Sequence, residues 1–142
     1  MVSQSDADAL LRIRKWFPPG TSVSLPVGKR VYELESDSPE DRFVLDTWRG
    51  SIRLSKVTMQ NRARTSLILA RLDLGGAPHT NPDGELIPSP HLHVYREGYD
   101  DKWAYPLDPS QFVNPHDLAV ALVDFCRFCA IDPPSEFQDG LL

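Results

Sequence analysis

Three of the four histidines, His79, His91 and His93, fall in one short segment, and two of them form a His-x-His pair within HLHVY. In a strand, alternate residues share a face, so His91, His93 and Tyr95 are expected to project together while Leu92 and Val94 turn to the core. That would leave two imidazoles and a phenol on the open side of a sheet. One neutral and one protonated imidazole can take a proton from one oxygen and deliver one to another, which is the work of metal-free phosphodiester cleavage. A cation would hold the phosphate. Arg96 and Lys102 are close in sequence, and Arg71 or Arg53 would reach in from neighbouring strands. On this reading the catalytic set is His91, His93, Tyr95 and Lys102, and the binding set is Arg53, Lys56, Arg71, His79, Arg96 and Trp103. It calls for no metal and no cofactor.

The same pair admits two other readings. Two imidazoles on one strand face can share a metal ion, with a third ligand from elsewhere. Gly84-x6-His91-x-His93-x3-Glu97 sits one residue from the first metal motif of the cupins, but the resemblance ends there. The only later histidine is His116, in what reads as the first turn of a helix, and too few strands follow residue 97 to close a cupin barrel. Alternatively, the histidines are half-buried strand residues and HTNPDG is a tight turn whose side chains bond their own backbone. In EGYDDKW, Asp100 and Asp101 either orient a histidine or the Lys102 ammonium, or form a solvated turn after a left-handed Gly98. Trp103 and Tyr105 either stack on bases or belong to the core. Cys126 and Cys129 have C-x-x-C spacing but lie inside an apparent helix, whereas a redox pair needs a helix N-terminus after a strand. They read as buried structural thiols.

The elements that must position these groups are legible from periodicity. Ser5-Asp6-Ala7-Asp8 resembles an N-cap with acids in the first turn, followed by Leu10, Leu11, Ile13 and Trp16 at helical spacing, and Pro18-Pro19-Gly20 ends that helix. Short alternating runs follow: TSVSLPV, RVYELES, RFVLDTWR, SIRLSKVTMQ and RTSLILARLDL, then HLHVY and WAYPL. In SIRLSKVTMQ the apolar phase changes, which predicts a β-bulge near Ser55. RTSLILARLDL is apolar on both parities and reads as a central strand covered on both faces. Asn114 is expected to cap a closing helix with Pro115 at its first position; Leu118, Leu122, Phe125 and Cys129 share one face of it. The expected fold is α+β: a twisted antiparallel sheet of about five to seven strands with an N-terminal and a C-terminal helix packed on one face.

With 142 residues, 41% hydrophobic and 25% charged, the chain reads as one globular domain, 1–142. No apolar run approaches the ~20 residues of a membrane span. The first residues carry acids where an export signal carries bases, and two cysteines make no disulfide framework, so the cytoplasm is the expected compartment and no membrane partner is expected. The formal charge of −5 is unevenly placed: from Arg42 to Leu72 seven basic residues face one acid, so that segment is +6 and the remainder −11. P-loop, dinucleotide-binding, serine-hydrolase and zinc-protease signatures are absent from the sequence.

The run from RGSIRLSKV through HTNPDG and HLHVYREG to DKWAYPL, together with ADALL in the leading helix and the closing helix before DPP, resembles a bacterial family of small proteins, a domain of unknown function. The resemblance covers nearly the whole chain. It implies a bacterial origin, a mobile-element or phage-defence neighbourhood and no established activity. Together with the basic segment and the histidine pair, the leading expectation is a protein that engages RNA or DNA, as a metal-independent ribonuclease of toxin type or a phage-defence component. The alternative is a non-catalytic interaction or inhibitor protein whose acidic surface binds a basic protein partner.

Overall fold

The structure, a computed structural model, describes residues 1–136. Helix α1 (Gln4–Arg12) is followed by strands β1 (Lys15–Trp16), β2 (Gly28–Ser36), β3 (Phe43–Arg49), β4 (Val57–Ala63) and β5 (Leu67–Leu74). A small hairpin, β6 (His79–Thr80) and β7 (Leu86–Ile87), precedes β8 (His91–Val94), β9 (Ala104–Pro106) and helix α2 (Leu118–Phe128). Seven strands form one sheet in the order β1-β2-β3-β4-β5-β8-β9, each neighbouring pair antiparallel. The fold is α+β, as the periodicity predicts.

One face of the sheet is apolar. Met59, Leu72 and Leu92 are Cα partners across β4, β5 and β8 and share a buried cluster with Leu118, Leu122 and Phe125 of α2. Ala7 and Leu10 of α1 share a second cluster with Phe43, Ala63 and Leu69. Fully burying one such leucine stabilises by about 1.5–3 kcal/mol, so the clusters supply much of the driving force.

Several boundaries differ from the periodic reading, each for a local reason. The N-cap of α1 is Ser3, whose hydroxyl accepts from Asp6 N, and the helix stops at Arg12. Trp16 therefore lies not on the helix but on β1, donating Nε1 to Glu35 at 3.0 Å. The chain turns because Lys15 is drawn inward: its ammonium donates to the carbonyls of Leu11 and Cys129, at the C-terminal ends of both helices. Residues 21–27 form no named strand; Pro26 lacks a ladder donor, and the Tyr32 hydroxyl instead bonds both N and O of Ser24. The phase change in SIRLSKVTMQ is a loop, closed by Gly50 N on Lys56 O, and β4 begins only at Val57. The bulge lies later. Asn61 pairs with Ala70 while Arg62 pairs with Ile68, leaving Leu69 as the extra residue. Leu69 and Ala70 both point inward, which explains the two apolar parities of this strand without burying its second face. At the far end, Asn114 to Asp117 is a turn, and Asp117 caps α2 by accepting from Ala119 N and Val120 N.

On each side of the sheet one residue is bonded by another chain segment. Beyond β1, Lys15 N donates to Ala130 O and Lys15 O accepts from Asp132 N. Beyond β9, the Asn81 amide accepts from Ala104 N at 2.8 Å and donates to Ala104 O at 2.9 Å. Cys126 and Cys129 are buried in the helix core, and burial pushes the Cys126 thiol up to about 12. Among the described residues no helix is long and apolar enough to cross a membrane.

Candidate functional site

The face of the sheet opposite the helices is polar. On β5 and β8, Arg71 is the Cα partner of His93 and Asp73 of His91. Two residues spaced i, i+2 on each strand thus assemble four polar side chains on one face. His93 Nδ1 lies 2.7 Å from Asp101 O, and its Nε2 lies 3.0 Å from Arg71 Nη2 and 3.1 Å from Asp73 Oδ2. His91 Nδ1 lies 3.3 Å from Pro88 O, and its Nε2 lies 3.3 Å from the same Asp73 oxygen. Arg71 also pairs with Asp73 Oδ1 at 3.2 Å and with Asp101 Oδ2 at 2.6 Å.

The electrostatics follow from this packing. Burial pushes the Asp73 carboxyl up, but its contacts with His93 and the Arg71 charge outweigh that and hold it at about 2. Burial pushes His91 below the ordinary imidazole range, and the Asp73 charge only partly offsets it.

The strand parity of HLHV is as expected, but the rings do not face solvent: His91 is 2% and His93 0% exposed. The cover comes from the hairpin and from the loop that follows β8. The His79 ring lies 4.6 Å from the His93 ring and 5.9 Å from that of His91, centre to centre, and its Nε2 is held by Lys102 O at 2.7 Å. The turn HTNPDG forms as expected, with Gly84 N on Asn81 O and Glu85 N on Asp83 Oδ1, and Asn81 ties it to β9. Asp101 does orient a histidine, through its backbone carbonyl.

Tyr95 leaves the set. β8 ends at Val94, Tyr95 N bonds Leu69 O at the bulge, and the ring turns into the cluster beneath α1, its hydroxyl donating to Val2 O. Lys102 contributes its carbonyl, its side chain being exposed. Arg96 stacks on Trp103, 4.2 Å above the ring centre, with Tyr99 edge-on to the indole. Arg53 lies in the loop before β4 and lines a depression of about 500 Å³ with Arg49 and His116.

Nor is the +6 segment an open basic surface. Arg42 pairs with Glu33, Arg62 with Asp46 at 2.9 Å, and Arg64 with Asp41 at 3.0 Å. Arg49 donates to the carbonyls of Leu54 and Leu25. Strand register brings Asp46 of β3 beside Arg62 of β4, and the turns before β3 and after β4 bring Asp41 beside Arg64, which sequence distance does not reveal.

Beside Arg71 and Asp73 the polar face dips into a concavity of about 440 Å³, also lined by Lys29, Asp46, Trp48 and Lys56. Trp48 is 40% exposed, Lys29 is its Cα partner on β2, and the Lys56 ammonium lies 5.7 Å from the indole centre. Asp73, Trp48 and Lys29 escaped the sequence reading. Asp73 was within reach, because Arg71-x-Asp73 matches the period of His91-x-His93; Trp48 and Lys29 carried no signal beyond their residue types.

No curated protein and no solved structure matches the chain. A family model does match, over residues 2–131. The chain belongs to that family, DUF6978, described as a family of unknown function.

Proposed function

We propose that this member of the DUF6978 family engages nucleic acid on the polar face of its sheet, taking a single-stranded segment into the concavity beside β5. The observation that carries this is Trp48, an exposed indole with the Lys56 ammonium beside its ring and Lys29, its Cα partner on β2, lining the same concavity. A base stacked on an exposed aromatic ring contributes about 1–3 kcal/mol, and the two ammonium groups suit the flanking phosphates. Because four of the six arginines between Arg42 and Leu72 are engaged by neighbouring acids, the electrostatic share is small. Two phosphates neutralised on a single strand give a slope of log affinity against log salt near −1.4, where seven would give about −5.

Anisotropy of a labelled single-stranded RNA, read across salt with wild type, Trp48→Ala and Lys56→Ala, tests this. The expected result is a shallow slope, with Trp48→Ala weakening binding by roughly 5- to 150-fold. Absence of binding, or equal affinity in Trp48→Ala, removes the proposal. Cleavage of the bound strand is a finer reading. Since both imidazoles are covered, His93 would act through Asp73 and Arg71, which reach the concavity. Strand scission in EDTA by wild type and not by His93→Ala supports it; equal or absent scission leaves a binding protein. The alternative, an acidic surface for a basic protein partner, draws on the same pairing of the cations, which leaves the −5 surplus of acids uncompensated; capture of a basic partner that survives Trp48→Ala would favour it.

A further inference from the structure

We infer that Asp73, His91 and His93 form a site for one divalent transition-metal ion of zinc-like ligand preference. The inference rests on the imidazole geometry and not on the nucleic-acid reading. One ligand atom from each residue lies within 4.8 Å of the other two. The Nε2–Oδ2 separations of 3.3 and 3.1 Å match the edge of a tetrahedron whose metal bonds are about 2.0–2.1 Å, which is roughly 3.3 Å.

A neutral His91 ring cannot satisfy both of its contacts by hydrogen bonding. Both nitrogens of His91 face acceptors, Pro88 O and Asp73 Oδ2, and a neutral ring carries a single proton. With that proton on Nδ1, the Nε2 lone pair points at a carboxylate oxygen. His93 Nδ1 is likewise committed to a carbonyl, Asp101 O at 2.7 Å, which leaves its Nε2 shared between Arg71 Nη2 at 3.0 Å and Asp73 Oδ2 at 3.1 Å. A cation between the two Nε2 atoms and Oδ2 resolves the His91 contact and makes the 3.1 Å approach of His93 Nε2 to Oδ2 an edge of the same coordination shell. Backbone carbonyls on both Nδ1 atoms are the outer shell that fixes the tautomer of metal-binding histidines. The imidazoles are buried while the Asp73 side chain is 23% exposed at the concavity, which supplies a route in and an open coordination position.

Arg71 is the resident competitor. Its Nη2 lies 3.0 Å from His93 Nε2 and 3.3 Å from Asp73 Oδ2, so it uses the lone pairs the ion requires. On metal binding the guanidinium gives up His93 and keeps Asp101, 2.6 Å away.

The test is Co²⁺ titration of the full chain by visible absorption, with Zn²⁺ competed against a chromophoric chelator. Wild type is expected to bind one equivalent with tetrahedral Co²⁺ bands. Asp73→Asn and His93→Ala are expected to weaken it more than about tenfold. Arg71→Met is expected to tighten it roughly tenfold, the order for removing a positive charge a few ångströms from a dication. Long-range ¹⁵N–¹H spectra should show Nε2 of His91 and His93 shifting with Zn²⁺ while His116 does not. Should His93→Ala fail to fold by circular dichroism, Arg71→Met and the imidazole shifts still decide. Absence of stoichiometric binding in wild type and Arg71→Met overturns the inference, as does an affinity that Arg71→Met leaves unchanged or weakens. Metal binding without RNA binding leaves it standing and removes only the nucleic-acid proposal.

Discussion

Replacing Lys15 by methionine would show how much a buried charge costs this fold. The Lys15 ammonium is fully buried, donating to Leu11 O at 3.0 Å and Cys129 O at 2.7 Å, with the Phe43 ring 4.8 Å away. These carbonyls close two helix C-termini, where a cation is favoured. Burial nonetheless lowers its pKa from 10.5 to about 8. That fall corresponds to about 3 kcal/mol of folded-state penalty on the charged form. The sign follows from proton counts. Between pH 8 and 10.5 the unfolded chain keeps the Lys15 proton that the folded chain has shed, so stability rises with pH across that window. Below pH 8 the penalty is present in full. Methionine carries no such term. At pH 7 it relieves the penalty but strips two carbonyls of their donor, at roughly 1–3 kcal/mol each, so the two proteins should be similar there. The diagnostic is the slope. From urea unfolding followed by tryptophan fluorescence at pH 7.5 to 10.5, the stability of wild type minus that of Lys15→Met should climb by up to about 3 kcal/mol. The two buried cysteines pull in the opposite direction in this window, but they do so in both proteins and cancel in the difference. A difference that stays flat would refute the claim that the ammonium is held charged against burial.

Two further outcomes test other parts of the fold. Gly75 has φ of +68°, and a Cβ there would meet Ser55 O at 2.3 Å, so Gly75→Ala should lose more than about 2 kcal/mol in thermal unfolding; a near-neutral change would mean the 50–56 loop is not seated as described. Cys126 and Cys129 should resist a thiol reagent at pH 8 in the native protein and react fully in urea, because burial raises both thiol pKa values; native reaction at the rate of a free thiol would contradict their burial.

What the sequence discloses here is mostly periodic. The alternation of HLHV and of RLDL places His91, His93, Arg71 and Asp73 on one face, and the spacing of Leu118, Leu122 and Phe125 gives the buried stripe of α2. The misreadings have a common cause, which is that partners distant in sequence decided them. The bulge at Leu69 turns Tyr95 away from the histidines by offering its carbonyl to Tyr95 N. The cover over the imidazoles comes from His79 and the 98–103 loop, whose turn chemistry was visible but whose landing place was not. Arg62 meets Asp46 because β3 and β4 pair in that register, so counting charges along the segment overstated the free positive surface.

The bonds made at Lys15 and Ala104 restrict how an extended segment can attach at these two points of the sheet margin. An unprotected margin invites an extended peptide, or another copy of the chain, to add itself as one more ribbon through main-chain bonding. Here the outward-facing amide and carbonyl of Ala104 are already engaged by a side-chain carboxamide, and those of Lys15 by the segment after the last helix. Recognition at these two points would first have to break a completed pair, so an added ribbon finds no free main-chain partner at Lys15 or Ala104.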